Sequence, residues 1–261
     1  MTYSERDLVP TIEHLAGADL GALTQTQLDG LDQFHVGGAE AVDRLLPSLG
    51  LSSGSTVLDV GSGFGGPARQ VARVSGCQVV GLDITRAYVD AATALTATAG
   101  LSEQVEFVCA DIAQLGRSDF DAAYTMHVQM NVADKQAFFG GISGRLRPGA
   151  PLATFEICRS GATEPNLPLP WSIDGSDSFL ATPDELLATI RDSGFDLVEW
   201  VDETAWVLDW FQQRGARAAA AGTAATLPAL LADGPARMMN LAAALGGGIL
   251  SVRRGAFVLA P

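Results

Sequence analysis

Asp59, Gly61, Gly63, Gly65, Asp83 and Asp111 are spaced as a ligand site would need them. The glycines belong to Gly61-Ser62-Gly63-Phe64-Gly65-Gly66, which follows Val57-Leu58-Asp59-Val60 and precedes Pro67. Lacking Cβ atoms, such a loop bends sharply and lets a ligand approach its backbone. The free amides of a helix start, at the positive end of its dipole, suit an anionic or polar group. Asp83 lies twenty residues past Gly63, where nucleotide-binding α/β domains place the carboxylate that accepts ribose hydroxyls. Asp111 ends a third run of the same kind. Any one of these acids could equally cap the helix that follows it. Three of them beside a glycine loop predict a crevice for a nucleoside-bearing cofactor.

The elements that must position these residues follow from the pattern. Val57–Val60, Cys77–Asp83 and Val105–Asp111 read as buried parallel strands, each ending in or carrying an acid. Helices over Ala68–Val74 and Arg86–Thr98 separate them, and Pro67 suits a first helical turn. A fourth strand at Phe120–Tyr124, a fifth at Pro151–Ile157, a sixth at Phe195–Val201 and a last at Ser251–Leu259 complete the alternation. Thr182-Pro183-Asp184-Glu185 is a capping-box helix start, and Asp134 caps a helix running to Arg145. The fold class is α/β: a doubly wound, mostly parallel, seven-stranded Rossmann-like sheet. Residues 1–50 read as an N-terminal helical cap, with helices over Ser4–Leu15, Thr24–Phe34 and Ala39–Leu49 and a break at Gly37-Gly38. Residues 51–202 are the cofactor-binding core, 203–248 an Ala-rich helical insertion forming a substrate lid, and 249–261 the core's final strand.

The motif Val57-Leu58-Asp59-Val60-Gly61-Ser62-Gly63-Phe64-Gly65 resembles the first motif of class I S-adenosylmethionine-dependent methyltransferases. Asp83 and Cys109-Ala110-Asp111-Ile112 are similar to that family's ribose and adenine motifs, and Leu146-Arg147-Pro148-Gly149 to the segment before its fifth strand. Gln33-Phe34-His35-Val36-Gly37-Gly38 resembles the N-terminal segment of the glycine-betaine and phosphoethanolamine methyltransferases. The resemblance implies S-adenosylmethionine as cofactor, held by Gln33, Gly37, Gly38, Asp59, Gly61, Gly63, Asp83, Ile84, Asp111, Ile112 and His127. It implies methyl transfer to an O, N or C nucleophile on a small molecule, with a role in specialised metabolism as the expectation. A cyclase or isomerase that keeps the cofactor without consuming it is the alternative.

On the acceptor side the residues diverge from that pattern. Phosphoethanolamine methyltransferases place a catalytic histidine after the fourth strand. Aligning through Lys135 puts Asn131 at that place and leaves His127 nearby but shifted. His127, Asn131 and His35 are the candidate catalytic residues, and Gln129, Met130, Glu156, Trp171, Trp206 and Trp210 the candidate substrate contacts. A lone histidine in a loop carries no spacing information, and apolar stripes such as Trp206 and Trp210 are commonly core. An NAD-dependent dehydrogenase is disfavoured, because no Tyr-x-x-x-Lys pair follows and about fifty residues of helical cap precede the glycine loop.

Charge and composition narrow the partners. A net charge of −14 with a single lysine, Lys135, argues against a nucleic-acid substrate, which needs a basic face. Cys77, Cys109 and Cys158 are odd in number and widely spaced, as expected of thiols in a reducing compartment. The start of the chain shows no apolar signal core, and Gly222 and Pro228 break the longest Ala-rich run. The expectation is a cytoplasmic, non-membrane monomer or homodimer acting on a small molecule, with no metal site.

Overall fold

Short β-branched runs alternating with amphipathic helices can bury both faces only as a sheet between helical layers. The computed structural model has that architecture, and describes residues 8–23, 27–28, 32–221 and 231–261. In chain order the main elements are α1 (Leu8–Ala16), α2 (Gly38–Leu45), β1 (Thr56–Val60), α3 (Gly66–Ser75), β2 (Gln78–Asp83), α4 (Arg86–Thr98) and β3 (Val105–Cys109). They continue through β4 (Ala122–Met126), α5 (Lys135–Ser143), β5 (Pro151–Arg159), α6 (Pro183–Asp192), β6 (Phe195–Asp202), α7 (Thr204–Ala221), α8 (Gly234–Gly246) and β7 (Leu250–Leu259). The seven strands lie in the order β3-β2-β1-β4-β5-β7-β6. All neighbours are parallel except that β7 runs antiparallel to both β5 and β6.

The order reverses between β1 and β4, the switch point at which open α/β sheets bind ligands. One face of the sheet packs Val57, Val79, Tyr124 and Phe155 against Val42 and Leu45 of α2 and Val71 of α3. The other packs Leu58, Val80 and Leu152 against Phe138 and Phe139 of α5 and Leu186 of α6. A third cluster joins Leu8 and Ile12 of α1 to Phe64, Tyr88 and Leu95, so the N-terminal helix leans on α4 and the glycine loop. Caps fix several boundaries. Thr182 and Glu185 form the reciprocal capping box at α6, and Asp134 takes the Ala137 N–H at α5. Such caps stabilise a helix by about 1 kcal/mol each.

Two boundaries shift, and some expectations fall outside the described residues. The helix expected over Ser4–Leu15 is α1, which runs to Ala16; residues 1–7 lie outside the described residues, as does most of the Thr24–Phe34 segment. The strand expected to reach Asp111 stops at Cys109, because Asp111 caps the short 3-10 turn Ile112–Gln114 in a capping box of its own. The breaks expected at Gly222 and Pro228 also lie outside the described residues. No helix of the described residues is long and apolar enough to cross a membrane.

Candidate functional site

The glycine loop is built to be close to its neighbours on one side and open on the other. Gly61, Gly63 and Gly65 all have left-handed φ angles (+81°, +52° and +75°), which side chains disfavour. A Cβ on Gly61 would lie 2.3 Å from Val128 Cγ2, and one on Gly65 2.3 Å from Phe107 Cζ. At Gly63 the nearest such contact is Phe34 Cβ at 3.8 Å, so that face of the loop is free. The loop is tied down by Gly61 and Ser62 N–H groups donating to the Leu82 carbonyl at 2.7 and 3.0 Å. Helix α3 then starts with no side-chain cap at Gly65, leaving its first amides for a ligand.

Two carboxylates flank the loop. Asp83 accepts the Gly63 N–H (2.9 Å) and the Thr85 N–H (2.8 Å), so it already clasps the loop that it faces. Burial raises its pKa, and those amide bonds oppose the rise. Asp59 is only 2 % exposed, and its Oδ2 makes no hydrogen bond. Burial pushes its carboxyl up to about 7; the neighbouring Tyr124 hydroxyl and Arg69 pull it down, while Asp83 pushes it further up. A buried carboxylate oxygen without a donor is costly, and a ligand's polar group arriving here would relieve it. Farther along the edge, Asp111 is exposed and accepts the Ala113 N–H at 2.8 Å. Ile84, beside Asp83, is 74 % exposed while Ile112 is buried. An exposed isoleucine between two acids is a flat apolar platform.

Beneath this crevice lies a buried ion pair that sequence spacing does not reveal. Arg69 of α3 bonds Asp32 at 2.7 Å, with both side chains sequestered from solvent. Its guanidinium also reaches the Phe64 carbonyl and Thr96 Oγ1. The pair pins the segment before His35 to the glycine loop.

On the other side of the switch point, His127 and His35 face each other. β4 ends at Met126, and His127 takes the left-handed conformation (φ 56°), unusual for a side-chain-bearing residue. Its N–H donates to Phe155 O at 2.9 Å. Its ring stacks on Phe155 (5.7 Å between centroids) and meets His35 edge-on at 6.1 Å. Glu156 holds the turn that follows, accepting the Val128 N–H (3.0 Å), the Gln129 N–H (3.2 Å) and the Thr125 hydroxyl (3.2 Å). His127 Nε2 is buried without a partner. His35 sits with Nδ1 3.1 Å from Val36 O and Nε2 3.0 Å from Gln33 Oε1, and Gln33 in turn donates to Gln70. Burial lowers the His35 pKa to about 4, and burial together with His35 lowers that of His127 well below its usual value. Both rings are therefore neutral near pH 7. With Met130, Ile157, Trp171, Met238 and Leu241 they line a partly open pocket of ≈ 50 Å³.

The structure thus brings His35, His127, Met130 and Trp171 to one cavity; Trp171 is fixed by its Nε1–H to Ser178 at 2.9 Å. It places the other acceptor-side candidates elsewhere. Glu156 does not point into the crevice: it is fully buried and engaged with the 128–129 backbone, because those two amides need an acceptor. Gln129 is buried too, its side-chain amide donated to Ile157 O. Asn131 ends the short 3-10 turn that starts at Gln129, off the pocket wall. Trp206 and Trp210 back the Gly37-Gly38 turn instead of the pocket. Trp206 would lie 2.7 Å from a Cβ on Gly37, with the Arg44 guanidinium 4.2 Å from its ring centre, and Trp210 lies 3.5 Å from the Cβ position of Gly38. A larger open hollow of ≈ 550 Å³ lies at the opposite edge of the sheet, between Pro47, Asp121 and Val258. It holds none of these groups. Among the described residues no cluster of His, Cys, Asp and Glu could hold a metal ion.

Comparison with known proteins agrees with this geometry. Residues 57–149 match a family model described as a methyltransferase domain. A sterol 24-C-methyltransferase of Gibberella zeae is 31 % identical over 179 residues, 66 % of this chain and 47 % of that protein. An O-methyltransferase of Aspergillus sclerotiorum is 29 % identical over 211 residues, 71 % of this chain and 78 % of that one. The chain spans about half the length of the sterol methyltransferase that it matches. Among solved structures the cyclase SpnF superposes with a TM-score of 0.66 at 23 % identity, over 97 % of this chain and 93 % of that one.

Proposed function

We propose that this chain, whose residues 57–149 match a methyltransferase domain, is a class I S-adenosylmethionine-dependent methyltransferase that methylates a small molecule held between His35 and His127. The observation that carries the reading is the junction of two sites at one switch point. An open glycine loop with the unsatisfied Asp59 lies on one side, and a largely apolar pocket with two neutral imidazoles on the other. On this reading Asp83 accepts the ribose hydroxyls, Ile84 supports one face of the adenine, and Asp111 and Ile112 meet its edge. Gly61 and Gly63, with Gly37, Gly38, Gln33 and Asp59, surround the amino-acid end. When bound, the cofactor supplies an electrophilic methyl group on a sulfonium.

The chain's own task is then positioning and exclusion of water. Holding reactants at near-attack geometry can supply about 7–11 kcal/mol. His127, held by Phe155 and by the turn that Glu156 fixes, orients the acceptor; His35, held by Gln33, forms the facing wall. Residues 1–50 and 203–248 serve as cap and lid over the 51–202 core, with 249–261 its last strand. The three thiols and the strong negative charge support a cytoplasmic protein, monomeric or homodimeric, that does not act on nucleic acid or membranes.

The test is to denature the purified protein, identify copurified small molecules by mass spectrometry, and incubate the candidate acceptor with S-adenosylmethionine. Methylated product and S-adenosylhomocysteine should appear one for one. Full-rate conversion of the same compound with only S-adenosylhomocysteine present would identify a cyclase or isomerase instead, a reaction for which a likeness in fold to SpnF leaves room.

A further inference from the structure

The wall of the His35–His127 pocket says what kind of acceptor it takes. Phe34, Met130, Ile157, Trp171, Met238 and Leu241 supply apolar surface, and among the described residues lining it none carries a charge. The two polar linings are the imidazoles, neutral near pH 7 because burial disfavours their charged forms. Both ring nitrogens of His35 already face protein oxygens, Val36 O and Gln33 Oε1, and the one proton of the neutral ring serves one of them. Trp171 has given its indole N–H to Ser178. Of the charged groups behind the wall, Glu156 is committed to the Val128 and Gln129 amides, and Arg237 gives Nη1 to the Pro170 carbonyl while its buried, unpartnered Nε belongs to a residue outside the lining. Among the described side chains that line the pocket, that leaves His127 Nε2 as the buried polar atom without a partner.

We propose that the acceptor is a neutral, largely apolar molecule that presents one hydroxyl to His127 Nε2. An ammonium, phosphate or carboxylate entering this pocket would lose its hydration with no opposite charge among the described lining residues to replace it. A hydrocarbon without a polar group would fill the cavity but leave the buried Nε2 unsatisfied. A hydroxyl meets the requirement in either tautomer of His127, because it donates as readily as it accepts. The inference rests on the proposed function for the word acceptor. Its chemistry comes from the pocket alone.

The chain has three histidines, His14, His35 and His127, so ring-nitrogen NMR can follow His127 directly. Phenol, its near-isostere toluene, and ethanolamine are titrated into the 15N-histidine-labelled protein, with and without S-adenosylhomocysteine. Phenol should bind saturably, shift the His127 Nε2 resonance, and bind about two- to tenfold tighter than toluene, the worth of one hydrogen bond. Ethanolamine should leave the His127 signals unmoved. In His127→Phe the preference for phenol should vanish; should that variant not fold, the phenol–toluene comparison on the unaltered protein decides alone. Equal binding of phenol and toluene, tighter binding of ethanolamine, or no saturable phenol binding in either state would overturn the proposal. Failure of S-adenosylhomocysteine to bind, read from its own titration, counts against the cofactor reading, and phenol binding in the free protein still decides the pocket's chemistry.

Discussion

Glu156→Gln separates what this buried side chain costs from what it holds in place. The wild-type carboxyl is fully buried, and burial raises its pKa from 4.5 to about 7 against the pull of the Gln129 and Val128 amides, the Thr125 hydroxyl and Lys135. A raised carboxyl pKa means that the folded protein binds the proton more tightly than the unfolded chain. Between pH 4.5 and about 7 the native state therefore carries more protons, and stability falls as pH rises through that window. At about 1.4 kcal/mol per pH unit, the loss attributable to Glu156 is about 3 kcal/mol by pH 8, and most of it falls above pH 5. Glutamine keeps an acceptor oxygen for the two backbone amides and carries no charge. Urea unfolding of both proteins, followed by tryptophan fluorescence, should show the variant gaining about 2–3 kcal/mol on wild type between pH 5 and pH 8. Asp59, whose shift has the same sign, cancels in the difference. Glu156→Ala should lose about 2–6 kcal/mol at pH 5, because two buried N–H groups lose their acceptor, and less at pH 8, since it too lacks the titrating carboxyl. A stability difference between Glu156→Gln and wild type that does not change with pH would refute the reasoning.

Asp83→Ala should weaken S-adenosylhomocysteine binding about ten- to a hundredfold by calorimetry, the loss of about 1.5–3 kcal/mol expected for charged hydrogen bonds. Unchanged affinity with an intact fold would reduce Asp83 to a clasp for Gly63 and Thr85. Arg69→Ala should destabilise the fold by about 3–5 kcal/mol in chemical denaturation, because Asp32 is left buried and unpaired; a loss under 1 kcal/mol would show that water reaches the pair. The lowered His35 pKa has the opposite pH sense to that of Glu156. The unfolded chain takes up the proton first, so wild-type stability should fall as pH drops from about 6.5 to about 4, by about 3 kcal/mol from this residue. His35→Gln should lack that component, and equal acid sensitivity of the two proteins would count against a buried neutral imidazole.

What the sequence made legible was what short-range spacing controls. The glycine loop, the acids at β1 and β2, and the Thr182–Glu185 capping box each lie within one strand–turn–helix unit, so residue type and local geometry agree. The end of β3 was misplaced because the Asp111–Gln114 capping box competes with strand extension, and apolar patterning does not count that bond. The buried ion pairs were harder because their partners are distant in sequence. Arg69 meets Asp32 across 37 residues, and buried Glu203 collects Arg44 from α2 and Arg254 from β7, across 159 and 51 residues. No local pattern announces such partners. Trp206 and Trp210 showed an apolar helix face without showing what covers it, and what covers it is the Gly37-Gly38 turn. Glu156, a candidate substrate contact in the sequence, is bound to backbone instead. The amides of Val128 and Gln129 drew it inward, and only the left-handed His127 turn explains why they needed an acceptor.

The claim on which everything else depends is that the crevice at Asp59, Gly61, Gly63 and Asp83 takes a sulfur nucleoside. Isothermal titration of the purified protein with S-adenosylmethionine, S-adenosylhomocysteine and NADH in parallel tests it most directly. One S-adenosylmethionine or S-adenosylhomocysteine should bind per chain, with NADH at least about a hundredfold weaker, the equivalent of about 2.8 kcal/mol. NADH binding more tightly than either would contradict the account.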